Sequence, residues 1–198
     1  MAYREIAKEQ ALSLVGHKHA CHVMLYAATD AKLFGRIPLK HIVLMQMRFD
    51  GLLGFPGGLV NPSKESLESG LSRELREELG MAIDVSPEDH FSSSLSHSGP
   101  KLVAHFFTKK MTEAELREAE AAAVTKATDH GLEVMGMVRV PLFSMKNDGG
   151  FPSFLSHSFI SNSRSQLLSA LRVLELVSQE DVEAAVGKAD KIRQTKAQ

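Results

Sequence analysis

A leucine at every fourth position, Leu67, Leu71, Leu75 and Leu79, fixes one stretch of this chain as a helix with a single buried stripe. The helix is expected from about Ser66 to Leu79, closed by Gly80 as a left-handed cap. It also carries Arg73, Glu74, Glu77 and Glu78. With a step of about 100° per residue, Glu78 falls roughly 20° from Leu71 around the axis and Glu74 roughly 60°. Both carboxylates therefore lie at the edge of the apolar face, where a merely solvated helix does not put them. Their i,i+4 spacing sets like charges side by side at a cost of about 0.2–0.5 kcal/mol, and Glu77 adds a third negative charge. The position calls for a cation. Hard oxygen ligands, few in number, beside the glycine-rich Pro56-Gly57-Gly58 suit Mg²⁺ or Mn²⁺, ions that also hold substrate phosphates.

Around this helix the chain reads as strands in runs with helices inserted between them. Strands are expected over Cys21–Ala27 and, more strongly, Ile42–Phe49, where the hairpin signal Asp50-Gly51 leads into Leu52–Phe55. Pro56-Gly57-Gly58 is expected to stop regular structure. Further strands are read over Lys101–Lys109 and Leu132–Val140, and helices over Thr112–Val124 and Ser163–Val177. Ile6–Leu14 reads as a short leading helix, and a polar, frayed tail is expected from about residue 188. The pattern predicts an α/β or α+β sandwich. With 198 residues, 43% of them hydrophobic, the chain suits a single domain over 1–198 with its core at about 17–178.

A net charge of −1 supplies no overall basic field, so composition gives no argument for tight nucleic-acid binding. The single cysteine, Cys21, excludes an intrachain disulfide and fits a reducing compartment. No apolar run reaches the roughly 18 residues of a membrane span, and Met1–Gln10 is not signal-like. The expectation is a soluble nuclear or cytosolic protein with no membrane partner.

The run from Gly57-Gly58 through Glu65 to Arg73-Glu74-Leu75-Arg76-Glu77-Glu78-Leu79-Gly80 resembles the Nudix box, with Glu65, Arg73, Glu74, Leu75, Glu77, Glu78, Gly80 and Met81 in register. The loop from Gly58 to Glu65 is one residue longer than in that pattern. The resemblance extends to His19-Ala20-Cys21-His22, Leu33-Phe34-Gly35-Arg36-Ile37-Pro38, Met45–Gly51, Gly54–Gly58, Asp129–Val134 and the segments Phe159-Ile160 and Gln166–Leu168. Together these look like the Nudix motif 16 group, small-nucleolar-RNA decapping enzymes that also act as inosine diphosphatases. The resemblance covers nearly the whole chain. It implies an α/β fold, the Nudix α/β/α sandwich with a mixed sheet, and two to three Mg²⁺ or Mn²⁺ ions. It further implies nucleoside diphosphates and capped RNA as substrates, a homodimer, and a nuclear location (nucleolus and nucleoplasm) with a cytoplasmic pool.

By the same resemblance Glu74 and Glu78 are metal ligands, joined by the Gly57 carbonyl, with Glu77 in support and Arg73 orienting the glutamates. Glu133 resembles a distal acid that ligates a metal or accepts a proton from the attacking water. His22, Arg48, Phe55 and Gln166 match nucleotide-contacting positions. Physically, Phe55 would stack on a base, Arg48 would pair with phosphate, and His22 and Gln166 would read base edges. Relatives carry a histidine in the loop after the box; here that position is Ser94, with His97 three residues later. The family also has an adaptor-like branch that lost the helix glutamates and works through protein contacts, so the alternative for this chain is a catalytically weak RNA- or protein-binding adaptor. The intact run Arg73–Glu78 favours an enzyme over that adaptor.

Overall fold

The computed structural model describes residues 3–97, 99 and 101–196. In chain order the elements are β1 (Tyr3–Ile6), α1 (Lys8–Leu12), β2 (Lys18–Ala28), β3 (Lys32–Leu33), β4 (Ile37–Pro38), β5 (His41–Arg48), β6 (Leu53–Gly54), β7 (Gly57–Val60) and α2 (Leu67–Leu79). There follow β8 (His90–Ser96), β9 (Leu102–Lys110), α3 (Glu113–Thr125), β10 (Val134–Arg139), α4 (Phe151–Leu155), α5 (Ser163–Val173) and α6 (Gln179–Lys196).

The main sheet runs β1-β8-β9-β2-β5-β10. β2 and β9 are parallel and the other pairs are antiparallel, so the sheet is mixed. Alternation along β2 and β5 sorts side chains to two faces. Cys21, Val23, Leu25, Ala27, Ile42 and Leu44 face the α2 leucines together with Phe107 and Leu116. Met24, Val43 and Met45 face the opposite way, onto Phe154 and Leu155 of α4, Leu167, Leu168 and Leu171 of α5 and Val182, Ala185 and Ala189 of α6. The result is an α/β/α sandwich with mixed sheet.

One irregularity places the site. The outer edge of β2 changes partner midway: His19–His22 pair with Val60–Gly57 of β7, whereas Tyr26–Ala28 pair with Val43–His41 of β5. Between them the chain turns back at Asp50-Gly51, where the Asp50 carboxylate accepts from the Leu52 N–H at 3.1 Å, and β6 pairs with the end of β5. The change of partner opens a gap in the sheet beside α2.

Several elements differ from the sequence reading. Pro56-Gly57-Gly58 does not end regular structure, because Gly57 begins β7; its φ of +129° lets it lie against β2, where a Cβ would meet the Cys21 carbonyl oxygen at 2.1 Å. The leading helix shrinks to Lys8–Leu12 because 3–6 pair with β8. The serine-rich segment read as a loop is β8, whose polar Ser93 is buried by hydrogen bonds to His105 and His90. The polar tail from about residue 188 is the end of α6: Ala189 is fully buried and the Arg193 guanidinium donates to the His157 carbonyl at 2.6 Å.

Candidate active site

α2 presents its carboxylates to the gap. Ser66 caps its N-terminus by accepting from the Ser69 N–H, and Gly80 ends it at φ +67°. Between these caps the four leucines are at most 3% exposed, which fixes the helix rotation. That rotation buries Glu78 to 6% exposure. Its Oε2 accepts from the Gly57 N–H at 2.6 Å and its Oε1 from the Gln46 amide at 3.0 Å. Burial pushes the Glu78 carboxyl up to about 7, against the pull of these two donors and with the charge of Glu74 adding to it.

Glu74 is half-buried, and burial raises its carboxyl above the usual range while the Arg73 hydrogen bond opposes the shift. Glycine at 58 makes room for it: a Cβ there would stand 2.2 Å from Glu74 Oε2. Arg73 lies along the outside of the cluster. Its guanidinium donates to Glu74 at 2.7 Å, to Glu65 at 3.1 Å and to the Leu59 carbonyl at 3.2 Å, and stands 3.6 Å from Glu77. The extra residue in the loop after Gly58 thus leaves Glu65 within reach of Arg73, and the hydrogen bonds from Arg73 hold the Glu65 carboxyl below its ordinary range.

A cleft of about 540 Å³ opens from these carboxylates. Glu74, Glu78, Gly57, His22, Arg48, Phe55, Glu133 and Gln166 all line it, so eight of the ten positions carried over by resemblance, all but Arg73 and Glu77, border one space. Glu77 does not line it; its side chain points outward, 45% exposed. Burial, followed by the charge of Arg48, pushes His22 down to about 4, so its ring is neutral at physiological pH. Arg48 donates to the Asp50 carboxylate at 3.0 Å and sits 5.3 Å over the Phe49 ring. Gln166 is buried on α5, with no side-chain hydrogen bond among the described residues.

Two placements depart from the sequence reading. Phe55 is 2% exposed, with its ring 4.9 Å from that of Phe106 in the core beneath the cleft. A ring so covered offers a base little surface to stack on. Glu133 lies in the exposed turn ahead of β10, where its carbonyl accepts from the Phe49 N–H at 3.0 Å, and not within the strand. Of the two loop candidates, Ser94 is a buried residue of β8 and His97 follows that strand; neither lines the cleft.

Sequence reasoning assigned no role to three further residues. Gln46 is 1% exposed and shares the inward face of β5 with Ile42 and Leu44. Its signal was there to find, a polar residue on an apolar stripe facing the glutamate helix. Asp129 raises the carboxyl of both Glu74 and Glu78 by its charge. Tyr3 lines the cleft from the leading strand.

The donor set fits a divalent ion. No group of three His, Cys, Asp or Glu side chains converges on one point among the described residues. Two hard carboxylates and a backbone carbonyl at a cleft wall instead suit an ion that keeps several waters and takes further oxygens from its substrate. The crowding of Glu74, Glu78 and Asp129 is the observation that calls for it.

The family described as "Nudt16-like: U8 snoRNA-decapping enzyme-like" matches residues 19–177. A U8 snoRNA-decapping enzyme of Xenopus laevis is 50% identical over 184 residues, covering 91% of this chain and 86% of that protein. A Tudor-interacting repair regulator protein of Mus musculus is 47% identical over 188 residues, covering 94% of this chain and 88% of that one. Among solved structures, a mutT/nudix family protein from Listeria innocua superposes with a TM-score of 0.54 at 16% identity, covering 80% of this chain and 94% of the other, a likeness of fold.

Proposed function

Because the chain belongs to the Nudt16-like family of Nudix hydrolases, we propose that it hydrolyses the diphosphate linkage of nucleoside diphosphates and of capped RNA in the cleft beside α2. One observation carries this reading: Glu78, buried to 6% exposure, and Glu74 crowd one cleft wall with their carboxyls raised by that burial. Buried like charges are retained where a cation offsets them.

Glu74, Glu78 and the Gly57 carbonyl hold Mg²⁺ or Mn²⁺, two to three ions in all. The ions, when bound, neutralise phosphate oxygens and acidify the attacking water. The chain's own residues do the rest. Arg73 spans Glu74 and Glu65 and so holds the first in place for ligation. Glu78 is held by Gly57 and Gln46. Arg48 meets the substrate phosphates, in exchange for Asp50. His22, neutral, offers one donor and one acceptor to the base edge, as does the Gln166 amide. Glu133, exposed at the rim, accepts the proton of the attacking water. An inosine diphosphate then yields the monophosphate and phosphate, and a capped RNA yields a nucleoside diphosphate and a 5′-monophosphate end. The chain works as a homodimer in the nucleus, with a cytoplasmic pool.

The adaptor reading has support in the 47% identity to the Tudor-interacting repair regulator. Glu74 and Glu78 oppose it, since an adaptor has no need to bury charge at a cleft. A turnover screen with Mg²⁺ and Mn²⁺ across nucleoside diphosphates, capped RNA and dinucleotides separates the two. Product from the first two classes is expected; none from any class would leave the adaptor.

A further inference from the structure

The ring expected to stack on the base lies at the cleft but is almost wholly covered. Phe55 is packed on Phe106 and 2% exposed. The other carbocyclic ring among the lining residues is Tyr3. It is half-buried on β1, opposite Ser96 of β8, at the start of the described chain. Its hydroxyl is hydrogen-bonded to that of Ser161, 158 residues away.

Ser161 is not an incidental partner. It sits at φ +54° in the turn that leads from the Leu53–Phe159 bridge into α5, and this turn itself lines the cleft. The next residue, Asn162, accepts from the Gln166 N–H at 2.9 Å. The Tyr3–Ser161 bond therefore ties the leading strand to the turn that leads into α5, the helix that carries Gln166. It does so on the α5 side of the sheet, whereas Glu74 and Glu78 approach from the α2 side. Both the carboxylates and this tie border the one cleft.

We propose that Tyr3 is the stacking wall for the nucleobase, and that its bond to Ser161 holds that wall in place beside the base-reading Gln166. This rests on the nucleotide-hydrolase reading above and adds a base-binding residue to it. Stacking tolerates every base, so Tyr3 contributes affinity without choosing among purines.

The chain makes the test direct, because it has two tyrosines, Tyr3 and Tyr26, and no tryptophan. In Tyr26→Phe all tyrosine emission comes from Tyr3. Inosine 5′-monophosphate and adenosine 5′-monophosphate, which have no anhydride to hydrolyse, are titrated with Mg²⁺ present, by calorimetry and by emission. The expected result is saturable quenching of Tyr3 at the calorimetric Kd. Tyr3→Ala should weaken both nucleotides by the same factor, roughly 5- to 160-fold, the range base–aromatic stacking gives. Tyr3→Phe should weaken both nucleotides measurably but less than Tyr3→Ala, since the ring remains and only the bond that holds it is lost. Should Tyr3→Ala fail to fold, the emission titration and Tyr3→Phe carry the test. Nucleotide binding with no change in Tyr3 emission, or with an unaltered Kd in Tyr3→Ala, would overturn this assignment while leaving the hydrolase reading intact. If the parent protein binds neither nucleotide, both fall.

Discussion

Replacing Gln46 with methionine separates the support of a metal ligand from the support of the fold. Gln46 is 1% exposed, its Nε2 donates to Glu78 Oε1 at 3.0 Å, and its Oε1 is buried with no hydrogen-bond partner among the described residues. Losing a hydrogen bond to a charged group costs roughly 1.5–3 kcal/mol, and removing a buried unpaired acceptor returns roughly 1–3 kcal/mol. Methionine is similar in length and adapts to irregular space, so no large cavity follows. The two effects nearly cancel, and unfolding in urea with EDTA should place Gln46→Met within about 1 kcal/mol of the parent. Metal binding has no such compensation. Glu78 would keep only the Gly57 N–H to aim it, and loss of such an outer partner typically weakens metal affinity by roughly 10- to 100-fold. Calorimetric titration of folded protein with Mn²⁺ reads this directly. A loss of more than about 3 kcal/mol in EDTA with Mn²⁺ affinity unchanged would refute the reasoning, and would make Gln46 a core residue alone.

Three further outcomes follow from the same geometry. Arg73→Lys keeps the charge but loses the planar fork that spans Glu74 and Glu65, so kcat should fall more than KM rises; steady-state kinetics with the change confined to KM would assign Arg73 to the substrate instead. His22→Ala and Gln166→Ala should flatten the ratio of kcat/KM between inosine and adenosine diphosphates, because a site that hydrogen-bonds a base edge rejects the wrong base by leaving polar groups unpaired; an unchanged ratio in both variants would remove the base-reading role. His105 is fully buried, and burial pushes it down to about 3 from the ordinary 6.5. The unfolded chain therefore takes up the proton first, and stability that is complete above about 6.5 drains as pH falls toward 3. Between pH 7.5 and 5 this amounts to about 2 kcal/mol, so urea unfolding of His105→Asn should show a shallower loss than the parent; equal slopes would contradict the assignment.

The helix and its site role were legible because two independent patterns coincide on it. Periodic leucines fix its rotation, and caps at Ser66 and Gly80 fix its ends. Glu78 could then be placed beside Leu71 with no structure at hand, and it is buried as that rotation requires. What stayed hidden was what depends on partners distant in sequence. The serines of β8 read as loop because their burial needs His105 on β9 and His90 at the strand's own start. The tail read as frayed because one small apolar side, Val182, Ala185 and Ala189, is diluted among charges, and its docking surface on α4 lies well upstream. Phe55 read as a stacking ring because it resembles a nucleotide-contacting position; the covering ring of Phe106 comes from β9. Tyr3 could not be found at all from local pattern, since its place in the cleft exists only once β1 has paired with β8.

Glu78→Gln tests the central claim most directly. The exchange removes one charge with almost no change of shape, at a residue whose carboxyl burial raises to about 7. In metal-free protein at pH 8 that carboxylate is ionised and destabilising, because its folded value lies above its unfolded one, so the variant should be at least as stable as the parent in EDTA. Product release from inosine diphosphate and from capped RNA, with Mg²⁺ or Mn²⁺ at saturation for the parent, should fall by at least about 10²-fold, the scale of charge stabilisation in a transition state. A folded Glu78→Gln protein that turns over either substrate at near the parent rate would contradict the account.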